Sequence, residues 1–138
     1  ISQIKKVSGR IFEKLLAHAG IDAFNGAQGH ILYVLWQQDN IPIAELSKRT
    51  GLAKTTLTSM LDRMEQSGLL TRTYDKADRR QIRISLTEQA RSLSSEYNKV
   101  SQAMNEIYYA GFADDEIIAF ENYLRRVLKN LDEREHKL

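Results

Sequence analysis

The sharpest local signal in this 138-residue chain is a run of six residues, five of them charged, Asp75-Lys76-Ala77-Asp78-Arg79-Arg80. Two segments with the character of strands flank it, Leu69 to Tyr74 before and Ile82 to Leu86 after. The run is therefore predicted to form the tip of a β-hairpin. Asp78 is expected to fix the loop, by capping it or by pairing with a neighbouring arginine, which leaves Arg79 or Arg80 to project. A projecting guanidinium is suited to the minor groove of DNA, whereas the alternative interpretation is a solvated polar turn.

The segment before this hairpin, residues 43–62, fits a helix-turn-helix. Ser47 offers a small side chain where the two helices cross, and Gly51 lies where the turn needs a left-handed backbone. Apolar residues are placed to lock the second helix onto the first: Leu52, Leu57 and Met60. Such a pair indicates a DNA-binding module, although similar helix pairs occur in purely structural bundles.

The second helix of this pair, predicted over residues 54–66, has two faces. At 100° per residue, its apolar side chains point one way. The polar ones lie opposite or beside them: Lys54, Thr55, Thr56, Thr58, Ser59, Asp62, Arg63 and Gln66. Short hydroxyl side chains suit the major groove, because they donate or accept hydrogen bonds and a threonine methyl can contact the thymine methyl. The alternative is an ordinary solvated face, since hydroxyl residues are common at the start of helices.

The charge distribution along the chain agrees with a nucleic-acid role for the middle segment. Residues 41–91 hold ten Lys or Arg against six Asp or Glu, a net charge of +4, whereas residues 92–138 hold six against nine, a net charge of −3. A basic segment inside a chain of net charge +2 is expected where one part meets phosphate and another meets protein. A chance fluctuation of a few charges is the competing explanation.

The remaining elements are predicted to be helices, because the chain has one Pro and seven Gly. Amphipathic helices are expected over residues 2–19 and 26–38, with Ile41-Pro42 as a short extended piece. One long helix capped by Thr87 is expected to bury Leu93, Tyr97, Val100, Met104 and Ile107, and a last helix to follow Gly111. The predicted fold is therefore mainly α with a small β-hairpin, a winged helix-turn-helix flanked by helices at both chain ends.

No constellation in the sequence favours an enzyme. There is no Cys, which excludes disulfides, thiolate catalysis and thiol redox switching, and the three histidines are scattered without metal-ligand spacing. Gly-rich phosphate loops and nucleophile elbows are missing. The sequence therefore predicts neither a catalytic site nor a metal or cofactor.

The longest apolar run, Ile31 to Trp36, is too short to span a membrane. Charged residues near the N-terminus do not fit a secretory signal. A soluble, cytoplasmic protein is expected. The chain begins with Ile1 instead of Met, so N-terminal residues are expected to be missing from it.

The sequence closely resembles the MarR family of bacterial and archaeal winged-helix regulators. The resemblance rests on these residues: Glu45-Leu46-Ser47, Gly51-Leu52, Leu57, Leu61, Gly68-Leu69-Leu70, Arg72, Asp78-Arg79-Arg80 and Ile84-Ser85-Leu86-Thr87-Glu88. It spans nearly the whole chain, including Gln28 and both helical arms. Two departures are visible, since Ala53 replaces a hydroxyl cap and Gln89-Ala90 replaces the Lys-Gly that often follows Leu-Thr-Glu.

The resemblance implies a single MarR-like domain over residues 1–138, with a DNA-binding part (26–91) and a helical dimerisation part (1–20 and 92–138). It implies a homodimer that binds a pseudo-palindromic operator in double-stranded DNA. Contacts to DNA then map onto residues Lys54 to Ser59, including Thr55, Thr56 and Thr58. Arg63 maps near phosphate, Arg80 onto the wing arginine, and Asp78 onto its orienting partner.

We expect a repressor, because a dimer that covers a promoter usually blocks polymerase. Members of the family often sense small molecules, so the resemblance also implies relief by an aromatic or anionic effector, which we expect near Gln28 and His30. The alternative function is a winged-helix module that binds protein and not DNA.

Overall fold

The computed structural model describes residues 1–138, which form seven helices and three short strands. In chain order these are α1 (Ser2–His18), α2 (Gly26–Gln37), β1 (Ile41–Pro42), α3 (Ile43–Thr50), α4 (Lys54–Gln66), β2 (Leu70–Tyr74), β3 (Ile82–Leu86), α5 (Glu88–Arg91), α6 (Ser94–Tyr108) and α7 (Asp114–Glu135). The chain divides into two units, Ile1–Met104 and Asn105–Leu138. Measured against the length and hydropathy that a bilayer demands, every helix falls short of a membrane span.

The sheet has three antiparallel strands in the order β1-β3-β2. The predicted hairpin is present, and its register pairs Leu70 with Leu86 and Tyr74 with Ile82. The third strand is an addition to the prediction, because Ile41 pairs with Ile84 across 43 positions of sequence. A two-residue strand carries no periodicity of its own, so only the tertiary pairing reveals it.

The predicted long helix after Thr87 is wrong, since the structure has two helices, α5 and α6, with a break at Ser92 and Leu93. In a continuous helix the Ala90 carbonyl would accept a hydrogen bond from the amide four residues later. Here it accepts one from the indole Nε1 of Trp36 (3.0 Å) and one from the amide of Leu93 (3.2 Å). The Trp36 side chain of α2 thus donates to the carbonyl that the next turn of a continuous helix would use as its acceptor. Ile107, expected to be buried, is 48% exposed.

The core of the first unit lies where α2, α3, α4 and the sheet meet. Its members are fully or almost fully buried and include Ile31, Leu32, Leu35, Leu46, Leu57, Leu61, Met64 and Ile84. Beside it, the ring of Tyr97 packs against Trp36 at 5.1 Å and against Phe12 at 5.8 Å between centroids. The start of α2 is held by an Asn25–Gln28 capping box and by the carboxylate of Glu13, which accepts a hydrogen bond from the Gly26 amide at 2.6 Å.

The second unit consists of the end of α6 and of α7. Tyr109 packs edge-on against Phe112 (5.9 Å) and Phe120 (6.4 Å). No residue of α7 is buried. Most of its large apolar side chains are exposed.

Adding a methyl group at Gly29 and at Gly9 is expected to change the free energy of unfolding in opposite directions. At Gly29 a Cβ atom would lie 2.8 Å from Cε2 of Tyr97, whereas at Gly9, also inside a helix, nothing lies within 4 Å. We expect Gly29→Ala to lower the free energy of unfolding by about 1–3 kcal/mol through overpacking. Gly9→Ala should raise it by about 0.5–1 kcal/mol, because alanine loses less backbone entropy in a helix. Urea denaturation at equal protein concentration measures both, and equal effects would contradict the packing described at Gly29.

Candidate nucleic-acid interface

The turn between α3 and α4 has the geometry that the sequence predicts. Gly51 adopts a left-handed conformation (φ 70°), and its amide donates to the Ser47 carbonyl at 2.9 Å. The hydroxyl of Ser47 spans the turn and donates to the carbonyl of Leu52 at 2.8 Å. Ser47 is thus more than a small residue at a helix crossing, because its hydrogen bond fixes where α4 begins.

The polar face of α4 is open to solvent. Every residue predicted to contact a nucleic acid from this helix is exposed: Lys54, Thr55, Thr56, Thr58, Ser59 and Arg63. The Thr58 hydroxyl donates to the carbonyl of Lys54 at 2.8 Å, so its proton is used inside the helix. Ala53 provides no side-chain cap, as predicted, and the first amides of α4 therefore remain available to acceptors from outside the helix.

The tip of the hairpin is organised by the pair that the sequence suggests. The Oδ1 atom of Asp78 accepts from the backbone amide of Arg80 (3.0 Å) and from its Nε (3.1 Å). The hydrogen bond from the Arg80 side chain, helped by the one from its amide, holds the pKa of Asp78 below its usual value. The Arg80 side chain is nonetheless 92% exposed, so most of its donors point to solvent. Arg79 is exposed beside it.

A second aspartate, which sequence reasoning had treated only as part of the polar tip, holds the base of the hairpin loop. The Oδ1 atom of Asp75 accepts from the amides of Ala77 (2.8 Å) and Asp78 (3.3 Å), and its Oδ2 accepts from Nη1 of Arg83 (3.0 Å). Hydrogen bonds from Ala77 and then from Arg83 lower the pKa of Asp75. The signal was present in the sequence, because an aspartate at the first position of a turn bonds to the amide two residues later.

Arg83 also connects the hairpin to the loop before β1. Its Nε donates to the side chain of Asn40 at 3.1 Å, and Nη2 donates to the Asn40 carbonyl. Asn40 has a positive φ of 54°, a conformation that asparagine tolerates better than most residues. These hydrogen bonds therefore attach the face of the hairpin that carries Arg83 to the loop before β1.

Arg72 is a further residue that sequence reasoning left without a role. It lies on β2 and makes ion pairs with Asp62 (2.6 Å) and Glu65 (3.0 Å) of α4. It also lines a cleft of about 240 Å³ between the helix and the hairpin, together with Lys54, Thr58 and Arg80. Three of the predicted contact residues, Lys54 and Thr58 of the helix and Arg80 of the hairpin, thus border one concave surface.

The two residues expected near an effector do not converge. Gln28 and His30 lie two positions apart on α2, about 200° around the helix axis. The carboxamide of Gln28 accepts from the Asn25 amide at 3.1 Å as part of the capping box, whereas His30 is exposed. An effector site at these residues stays a prediction.

Comparison with known proteins places this arrangement in a family. The MarR family model matches residues 24–82. The HTH-type transcriptional regulator TtmR of Methylorubrum extorquens is 38% identical over 85 residues, which are 62% of this chain and 42% of that protein. The chain thus spans less than half the length of this relative.

Solved structures show the same fold over almost the whole chain. A MarR transcriptional regulator of Methanosarcina mazei superposes with a TM-score of 0.82 at 24% identity, covering 96% of this chain and 94% of that one. A mutant MarR of Escherichia coli complexed with operator DNA gives 0.84 at 24% identity, covering 93% and 90%. Proteins of this family are transcriptional regulators and not enzymes. The helix-turn-helix, the hairpin with its Asp-Arg-Arg tip and the family model together show that residues 24–82 of the chain match the MarR family of winged helix-turn-helix transcriptional regulators.

Proposed function

We propose that the chain binds double-stranded DNA sequence-specifically, with α4 in the major groove and the hairpin, as a wing, at the adjacent minor groove. The observation that carries this proposal is the shared concave surface, on which Lys54 and Thr58 from the polar face of α4 and the exposed guanidinium of Arg80 border one cleft. The hydroxyl groups of α4 are the kind of side chain that reads base edges. The operator complex of the similar Escherichia coli protein supports the same function here.

We further propose a homodimer built from residues 2–19 and 113–134. Seven apolar side chains of α7 support it, because they are exposed by between 43% (Phe120) and 62% (Tyr123). On α1, Ile4 is 59% exposed as well. Soluble monomers rarely expose so much contiguous apolar surface. A two-fold dimer would present two copies of α4 and so fit a pseudo-palindromic site.

A repressor relieved by a small aromatic or anionic effector is the regulatory role we propose for this dimer, acting on DNA in the cytoplasm. The competing function is a winged-helix module that binds protein, and the basic residues around the cleft favour DNA over it. A titration on the DNA upstream of its own coding sequence, repeated across a salt series, separates the two. A steep decline of affinity with salt is expected for phosphate contacts, and the lack of any binding at low salt would contradict the proposal.

The recognition helix gives the first functional prediction. Thr55→Ala or Ser59→Ala should relax discrimination between operator variants by about 1–3 kcal/mol if the hydroxyl contacts a base. Lys54→Ala and Arg63→Ala should weaken all sequences alike and reduce the salt slope, because phosphate contacts carry no sequence information. Anisotropy titrations on a panel of single-base variants measure both effects. If the hydroxyl variants keep the ranking of the panel unchanged, α4 is not the element that reads sequence.

The wing gives the second functional prediction. Arg80→Ala should remove a large part of the DNA affinity and the preference for A·T-rich flanks, because a guanidinium is attracted to a narrow minor groove. Asp78→Ala should act in the same direction but less strongly, since it removes only the group that orients Arg80. Circular dichroism should stay unchanged, because the tip lies outside the core. If Arg80→Ala keeps wild-type affinity and an unchanged salt slope, the wing makes no contact with DNA and is only a solvated turn.

The dimer gives the third functional prediction. Removing residues 117–138 should yield monomers or aggregates with weak DNA binding, because it deletes most of the exposed apolar surface of α7. Leu128→Glu is a milder variant that keeps the helix and should weaken association in the same direction, with Lys129→Glu as the control on a neighbouring position. Sedimentation velocity decides the matter, and a stable monomer of the unmodified chain at micromolar concentration would rule the dimer out.

A further inference from the structure

We propose that Arg72 is a positioning residue that fixes the wing relative to the recognition helix, so that both reach the DNA in one fixed geometry. The inference rests on the proposed function for its consequence on DNA binding. The structural part of the inference, that Arg72 fixes the hairpin on α4, is argued from the contacts of Arg72 and does not depend on DNA binding.

Arg72 makes three contacts with α4. Its Nη1 atom lies 2.6 Å from Oδ1 of Asp62, and its Nη2 atom donates to Oε1 of Glu65 at 3.0 Å. The backbone amide of Arg72 donates to the other oxygen of Glu65, Oε2, at 2.9 Å. Both the main chain and the side chain of β2 are thus attached to the helix, and a single carboxylate receives one hydrogen bond from each.

The place of these contacts in the hairpin decides their effect. Residues 70, 72 and 74 point to the same face of β2, because side chains alternate along a strand. Leu70 on that face is 1% exposed, whereas Tyr74 is 70% exposed. On β2 the apolar contact with the core therefore ends at Leu70, whereas Ile84 and Ile82 on the facing strand still pack on the core. Arg72 attaches β2 to α4 beyond Leu70.

The charges around Arg72 indicate a positioning role and not a direct contact with DNA. Both terminal nitrogens of the guanidinium face carboxylates, and the side chain is 27% exposed, compared with 92% for Arg80. The hydrogen bond to Glu65 is the main cause that raises the pKa of Arg72, and the same bond lowers the pKa of Glu65. A guanidinium engaged in this way has few donors left for phosphate.

A double-mutant cycle on DNA tests the positioning role. In the unmodified chain, Arg72→Ala should reduce affinity for the upstream duplex about tenfold, a typical coupling for residues that act through one another. In the Arg80→Ala background the same change should cost about twofold or less, because a wing without its arginine gains little from being positioned. Equal losses in both backgrounds, with a salt slope lower by about one, would identify Arg72 as a phosphate contact and overturn the inference.

Replacing Glu65, the acidic partner of Arg72, gives a second test, because the inference predicts whether DNA affinity falls or rises. Removing a negative charge near DNA normally strengthens binding, since it lowers repulsion of the phosphates. Glu45→Ala is the matched control, because Glu45 lies in the same unit and pairs only within its own helix, with Arg49 at 3.0 Å. Glu65→Ala should instead weaken binding, since it releases β2 from α4. Strengthening by both variants would overturn the inference.

A measurement without DNA separates this inference from the proposed function. The chain has no cysteine, so two labels can be introduced cleanly, at Lys76→Cys in the wing and Gln66→Cys at the end of α4. The distance distribution between spin labels should broaden on Arg72→Ala, and circular dichroism should report an unchanged helix content. An unchanged distribution overturns the inference whether or not the chain binds DNA. If Arg72→Ala broadens the distribution but the unmodified chain binds no DNA, the proposed function is refuted. The inference that Arg72 attaches the wing to α4 is then still upheld.

Discussion

The burial of one face of α4 is the constraint on which the rest of this structure depends. Leu57, Leu61 and Met64 are completely buried, and each contributes about 1.5–3 kcal/mol by leaving water. Because they occupy one side of the helix, the opposite side with its hydroxyl groups has to face solvent. Leu46 on α3 and Ile84 on β3, both fully buried, complete the same cluster. One apolar cluster therefore fixes α4, the helix before it and the root of the wing together.

Besides this apolar packing, polar contacts hold the wing, and they lie on both of its faces. On one face Arg72 reaches Asp62 and Glu65 of α4, and on the other Arg83 joins Asp75 to Asn40. Each such pair is worth little to global stability, because it is partly exposed to water. These pairs matter because they restrict the position of the hairpin. A hairpin that is already held on both faces loses less conformational freedom when it binds a rigid partner.

The sequence predicted the elements that local patterns determine and missed those that long-range contacts determine. The bounds of α3 and α4 follow from local signals, among them Gly51 at the turn, and the Asp78–Arg80 pair lies within one turn of chain. The interruption between α5 and α6 depends on the indole of Trp36, 54 positions before the carbonyl that it binds. Strand β1 likewise depends on a partner far along the chain. The role of Arg72 was hidden for the same reason, because nothing in β2 alone shows which helix its guanidinium faces.

The acidic residues of the middle segment hold the arginines of the hairpin in defined positions. Asp75, Asp78, Asp62 and Glu65 each lie within hydrogen-bond distance of an arginine of the hairpin. Without these carboxylates, neighbouring guanidinium groups would repel one another and sample many rotamers, at an entropic cost of about 1.5–2 kcal/mol for each side chain that is fixed on binding. The carboxylates remove much of this disorder in advance. Their price is a lower net charge, and the segment retains +4 because ten basic residues outnumber six acidic ones. The segment therefore keeps a net positive charge, while the arginines next to the carboxylates are already oriented.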